Sequence, residues 1–223
     1  RAAGRRVFKP REVRASMGHM ARLVVALPLP FLLPALAAGQ ALAPATAATP
    51  ALPPEPMSYA VRLPPHLSEL LLDEAPPTRY PESDSIAELG RVLFHDRGLS
   101  ANSLVSCASC HTQSTGFDDP TRLSIGFAGR ITRRSAMTLV NVRYAPSGRY
   151  FRDERAETLE NQVLEPFTDP IEMGLRPGEL VRRVADREFY PVLFARAFGS
   201  ALIEEETIAA ALAQYVRAIV ATR

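Results

Sequence analysis

The chain has 223 residues, with 26 Lys and Arg against 24 Asp and Glu for a net charge of +2, two cysteines, four histidines and no tryptophan. Seven of those cations and one acid, Glu12, lie in the first 37 residues; without them 19 cations face 23 acids, a net −4. A mildly acidic remainder excludes an electrostatic case for nucleic-acid binding.

Residues 1–19 begin at Arg1 and are rich in arginine. They read as upstream sequence outside the working protein, a basic nucleic-acid-binding arm being the alternative. From Met20 a short basic start at Arg22 leads into the apolar run Leu23–Ala38, which contains the A-x-A-like Ala35-Leu36-Ala37. Residues 20–37 have the layout of a secretory signal peptide. The run is 16 residues and carries Pro28, Pro30 and Pro34, short of the ~20 that a spanning helix needs. Residues 38–57, rich in Ala and Pro, read as a disordered linker. Residues 58–223 suffice for one domain with its own core.

The first clear helix is predicted over 83–94. Ser83 or Ser85 can cap it, and Ile86, Leu89, Val92 and Leu93 recur at helical spacing. Phe94 ends this stripe and suits either plain core or a cofactor wall. A loop over 95–100 leads to Cys107-Ala108-Ser109-Cys110-His111. This is C-x-x-C-H, the attachment signature of a c-type haem. The two thiols add to the haem vinyl groups as thioethers, and the adjacent imidazole can turn onto the iron as axial ligand. A redox C-x-x-C pair usually sits in a βαβ context, which is not seen here. A zinc site needs three or four well-spread protein ligands, and these three are nearly contiguous. Cysteine count alone leaves a structural disulfide open. Export fits the haem reading, because bacterial cytochromes c are assembled outside the cytoplasm, so the expected location is the periplasm.

Residues 112–135, with Gly116, Pro120, Gly126 and Gly129, read as irregular loop. It either wraps a haem edge or merely connects. Further helices are predicted from Leu159 to a stop at Pro166, around Leu180–Val184, around Phe189–Ala197 with Pro191 in the first turn, and over Ile203–Thr222. The last carries Ile208, Leu212, Tyr215, Val216 and Ile219 on one face and has no C-cap, so the chain is expected to continue. With no period-2 strands, the expected fold is all-α: a cytochrome c-like haem domain, helices and long loops around one covalently bound haem.

Leu89-Gly90-Arg91-Val92-Leu93-Phe94, Leu99-Ser100, the haem motif and Gly116-Phe117-Asp118-Asp119 form an ordered set. It continues through Arg134–Asn141, Gly148–Ala156, Leu159–Gln162, Pro166 and Asp169–Gly174. Over roughly 78–222 this resembles the amino-terminal domain of bacterial di-haem cytochrome c peroxidases, and their relatives that mature the tryptophan-derived cofactor of methylamine dehydrogenase. The resemblance implies a periplasmic oxidoreductase reducing hydrogen peroxide to water, with electrons from a small cytochrome c or a copper protein (cupredoxin). It also implies a second haem in a carboxy-terminal domain, often a homodimer, and a calcium ion between domains. By position, Glu172 matches the distal acid–base carboxylate, Gln162 the distal glutamine and Pro166 the pocket proline, with His111 as proximal ligand.

Three positions depart from the family pattern. Phe127 stands in the distal pocket where many members carry a loop histidine that caps the iron, and no histidine follows His111. The expectation is an open iron that needs no reductive activation, with Met137 or Met173 as the less favoured sixth ligand. Arg152 stands where a tryptophan relay is common, which weighs against radical oxidation of a protein substrate. Ser135 stands where an asparagine helps hold the calcium. The rival readings are a mono-haem electron carrier, a di-haem enzyme oxidising a protein, and a non-catalytic fragment.

Overall fold

The computed structural model describes Pro54, residues 57–68 and residues 79–221. The expected upstream sequence, signal peptide and most of the linker lie outside the described residues. Among those described there are seven α-helices and no strand. They are α1 (Pro65–Ser68), α2 (Asp84–His95), α3 (Cys107–Cys110), α4 (Leu159–Thr168), α5 (Glu179–Ala185), α6 (Tyr190–Phe198) and α7 (Glu205–Arg217). None is long and apolar enough to cross a membrane. The loops between α3 and α4 carry only isolated bridges, such as Thr112 with Asp118 and Ile125 with Ile131.

Helix α7 is the centre of the fold. Its sequence suggests one apolar face, yet every residue from Thr207 to Arg217 is buried. Ala209, Ala210, Ala211 and Ala213 make this feasible, because small side chains let α2 and α4 close in on both sides. Gly90 is the point of closest approach. A Cβ there would lie 1.9 Å from the Ala211 carbonyl oxygen and 2.8 Å from the Tyr215 Cβ. Helix propensity alone favours Ala over Gly by about 1 kcal/mol. Overpacking against rigid backbone outweighs that, so Gly90→Ala is expected to destabilise by about 1–3 kcal/mol. A urea midpoint no lower than the parent's would refute this.

Two predicted helix ends need correction. Pro166 does not stop α4, which runs on to Thr168. Near a C-terminus, proline forfeits only the bond that the Gln162 carbonyl would have received. Helix α7 ends at Arg217 rather than Thr222. Asn141 draws the chain away: its backbone N–H donates to Ile219 O (2.9 Å), its amide Nδ2 donates to Ala221 O (3.1 Å), and its Oδ1 accepts from Ala221 N (2.9 Å). The end of α7 is also tied to α4, where Arg217, only 2% exposed, grips the Glu160 carboxylate at 2.7 and 2.9 Å. A buried guanidinium is tolerable because the fork is met by both carboxylate oxygens.

Candidate functional site

One cavity of about 410 Å³ opens beside α3. That is within the ~300–1,000 Å³ common for cofactor pockets. Cys107, Cys110 and His111 line it, and so do Gln162, Pro166 and Glu172. Phe94, Leu139, Leu159, Leu212 and Val216 supply apolar wall from α2, α4, α7 and the loop before α4. Residues far apart in sequence thus meet because α2, α4 and α7 pack into one core.

The haem motif is held by local chemistry. Helix α3 is a single turn, and its first and last residues are the cysteines, so the i and i+3 thiols share a face. Ser109 Oγ accepts from the Ser106 backbone N–H at 3.0 Å and pins the start of the turn. Both thiols are free. Burial, with the neighbouring Cys110, pushes the Cys107 thiol up to about 12, and burial also raises Cys110. Protonated thiols are poor thiolate redox groups.

His111 is oriented by the turn that follows. Gly116 and Phe117 both take positive φ, +71° and +56°. For a phenylalanine that is an unusual backbone state, the kind that functional sites hold in place. It brings Phe117 O to 3.1 Å from His111 Nδ1. With Nδ1–H donating to that carbonyl, Nε2 keeps its lone pair for a metal. Burial lowers the His111 pKa, against the opposing pull of the Phe117 carbonyl and of Asp118 and Asp119. The neutral ring is the ligating form.

A further part of the cavity wall is built by a turn that follows α4. Asp169 Oδ1 accepts from the N–H of Ile171 (2.7 Å) and of Glu172 (3.1 Å), an Asx turn. Met173 N donates to Pro166 O at 3.2 Å and Leu175 N to Phe167 O at 2.7 Å, which fastens the turn to the end of α4. Glu172 O in turn accepts from Phe127 N at 2.9 Å. Glu172 is half-buried, and burial first, then Asp169, raises its carboxyl pKa, partly offset by Arg155. Gln162 is 7% exposed, and its Oε1 has no hydrogen-bond partner. Its Nε2 donates to Met137 Sδ at 3.6 Å. A buried orphan amide oxygen costs about 1–3 kcal/mol and is a position where a bound donor would be rewarded.

Phe127 requires a correction. It does not line the cavity; Ile125 and Gly126 form that part of the wall. The Phe127 ring packs on Gly174 instead. A Cβ at Gly126 would lie 1.6 Å from Ile171 O, so the loop is pressed against the Glu172 turn. Phe127 thus touches the site through its backbone bond to Glu172. Met173 is 4% exposed and belongs to the core, while Met137 is half-buried with its sulfur engaged by Gln162. The polar groups around Ser135 are already engaged. Ser135 Oγ receives Arg152 Nη2 at 3.5 Å, and the nearby Asp153 carboxylate is already shared by Arg134 and Arg155. The described residues contain no metal-holding group of three or more His, Cys, Asp or Glu. Asp169 is the positioning residue that sequence reading missed; its only sequence signal is an Asp two and three residues ahead of the amides it caps.

The cavity fits a covalently held porphyrin: two free thiols on one turn, an oriented neutral imidazole beside them and apolar walls. Comparisons with known proteins agree. A family model described as di-haem cytochrome c peroxidase matches residues 84–223. The methylamine utilization protein MauG of Methylophilus methylotrophus is 32% identical over 73% of this chain and 48% of its own length. The cytochrome c551 peroxidase of Nitrosomonas europaea is 34% identical over 63% of this chain and 41% of its own. In structure, a MauG-like protein associated with microbial copper homeostasis has a TM-score of 0.56 and 36% identity, over 67% of this chain and 46% of that one. The chain therefore spans about half the length, or less, of the relatives it matches.

Proposed function

Because this chain belongs to the di-haem cytochrome c peroxidase family, we propose that it is the peroxide-binding half of a periplasmic peroxidase. On this reading haem c is bound through Cys107 and Cys110, with His111 Nε2 on the iron. Reduction of hydrogen peroxide to water takes two electrons and two protons, the electrons drawn from a small cytochrome c or a cupredoxin. A second haem belongs to the remainder of such an enzyme, whose common assembly is a homodimer.

The observation that carries the proposal is the convergence of Glu172 and Gln162 on the cavity that holds the C-x-x-C-H motif. Bound haem supplies an iron for peroxide and a store of electrons for cleaving the O–O bond. The Glu172 carboxylate takes a proton from one peroxide oxygen and returns it to the other, so the departing oxygen leaves as water. Gln162 Oε1 accepts a hydrogen bond from the peroxide O–H and so orients it. Pro166 narrows access beside them. The loop over residues 124–131 offers no histidine to cap the iron, and the methionines of the cavity wall are packed or engaged.

The oxidised holoprotein is therefore expected to be high-spin, to bind cyanide without prior reduction, and to oxidise a reduced small cytochrome c when peroxide is added. A low-spin, cyanide-inert spectrum with no peroxide-dependent oxidation would replace this reading with that of a mono-haem electron carrier. The second reading, oxidation of a protein substrate, rests on the resemblance to MauG proteins, one of which is 32% identical.

A further inference from the structure

The rim of the haem cavity carries more positive charge than its carboxylates use. Arg133, Arg134, Arg152 and Arg155 all line the cavity, and all four are exposed. Arg134 lies 2.9 Å from Asp153, and Arg155 lies 2.8 Å from Asp153 and 2.9 Å from Glu165. Arg155 is further fixed over the Phe151 ring at 3.4 Å. Among the described residues Arg133 and Arg152 meet no carboxylate. Arg152 makes only a long contact with the Ser135 hydroxyl at 3.5 Å. Two guanidinium groups on one rim, beside a second pair already neutralised, favour an anion between them.

The other residues of the cavity say which anion. Cys107 and Cys110 are half-buried and line the same cavity, among its apolar residues. A haem attached there by its vinyl groups would carry both propionates on its opposite edge, and the exposed arginines are the cations of this cavity free to meet them. We propose that Arg152 and Arg133 bind the two haem propionates. This rests on the haem reading given above. The guanidinium fork matches a carboxylate in two parallel N–H···O bonds, a geometry that lysine cannot supply. Cations at this edge favour the reduced haem, which carries one more electron. The rim thereby raises the potential of the peroxide-binding haem as well as holding it.

The test uses the holoprotein, with covalent haem first established by its haemochrome spectrum. Arg152→Gln and Arg133→Gln are each expected to lower the midpoint potential of the haem held by Cys107 and Cys110. Each should also shift the propionate bending band in resonance Raman spectra. Arg152→Lys keeps the charge without the fork, so it should recover most of the potential but not the Raman band. An unchanged potential and band in both glutamine variants, at full haem content, overturns the proposal and leaves the haem reading intact. So does a raised KM for an acidic electron donor with neither spectral nor potential change, which would make the arginines a docking surface. Absence of covalent haem in the parent chain overturns the haem reading and this proposal together.

Discussion

Replacing Glu172 with alanine is expected to lower peroxide turnover by about 10²–10⁴-fold, the range of a positioned acid–base group, while haem stays covalently attached. The Glu172 backbone is held from both sides. Its N–H is bound by Asp169 Oδ1 and its C=O by Phe127 N. Loss of the side chain therefore removes proton transfer without loosening the turn. Burial supplies a control. The folded-state pKa of Glu172 is raised, so the folded chain holds this proton more tightly than the unfolded chain. The stabilisation that follows is full below the unfolded value and is lost as pH rises through the folded one. At neutral pH the buried carboxylate is thus a cost, and Glu172→Gln should be at least as stable as the parent. An inactive Glu172→Gln with an undiminished thermal midpoint would assign the loss to chemistry. The same shift sets the pH profile. Turnover needs the ionised carboxylate, so it should fall, on acidification, at a pH above the ordinary glutamate value of 4.5. Near-parental turnover in Glu172→Ala would remove Glu172 from the mechanism.

Removing both thiols should have an equally large effect on the cofactor. In Cys107→Ala/Cys110→Ala essentially all acid-resistant haem is expected to disappear. After acid–acetone extraction the haem absorbance should remain with the parent protein and pass into the solvent from the variant. The reason is geometric. One helical turn sets both sulfurs on one face of the cavity, unlinked to each other and next to His111. No other cysteine exists to substitute. Single variants should retain haem on one thioether, with a shifted haemochrome band. Acid-resistant haem in the double variant would mean attachment through another residue and would overturn the reading of the motif. A parent that bears no covalent haem would do the same.

Local pattern made much of the scaffold legible. The apolar spacing of Ile86, Leu89, Val92 and Leu93 marks α2, observed over Asp84–His95. Leu180 and Val184 mark α5, and Pro191 does sit in the first turn of α6. The motif around Cys107 and the ordered set from Leu89 to Gly174 pointed to the family whose model matches residues 84–223. Long-range contacts lay beyond that reach. Helix α7 reads as a helix with one apolar face over Ile203–Thr222, yet it is buried from Thr207 to Arg217 and ends five residues earlier. Its alanines look neutral until α2 and α4 close on them, and its end is dictated by Asn141, some 80 residues upstream. The resemblance puts Phe127 in the distal pocket; its ring packs on Gly174 instead.

By itself the sequence determined the chemistry that is short in range. The two thiols and the imidazole belong together because one helical turn and the next residue must bring them together, whatever the rest of the fold does. The helical class follows in the same way, from apolar spacing and the lack of strand periodicity. Only the tertiary structure decided what faces that motif. Glu172 and Gln162 lie more than 50 residues away in sequence, and Arg133 and Arg152 nineteen residues apart. Their shared cavity arises from the packing of α2, α4 and α7 and from the Asx turn at Asp169. Burial then sets what each group can do, raising the Glu172 carboxyl and stripping Gln162 Oε1 of partners, while the arginines stay exposed. Such effects depend on desolvation and on neighbours distant in the chain.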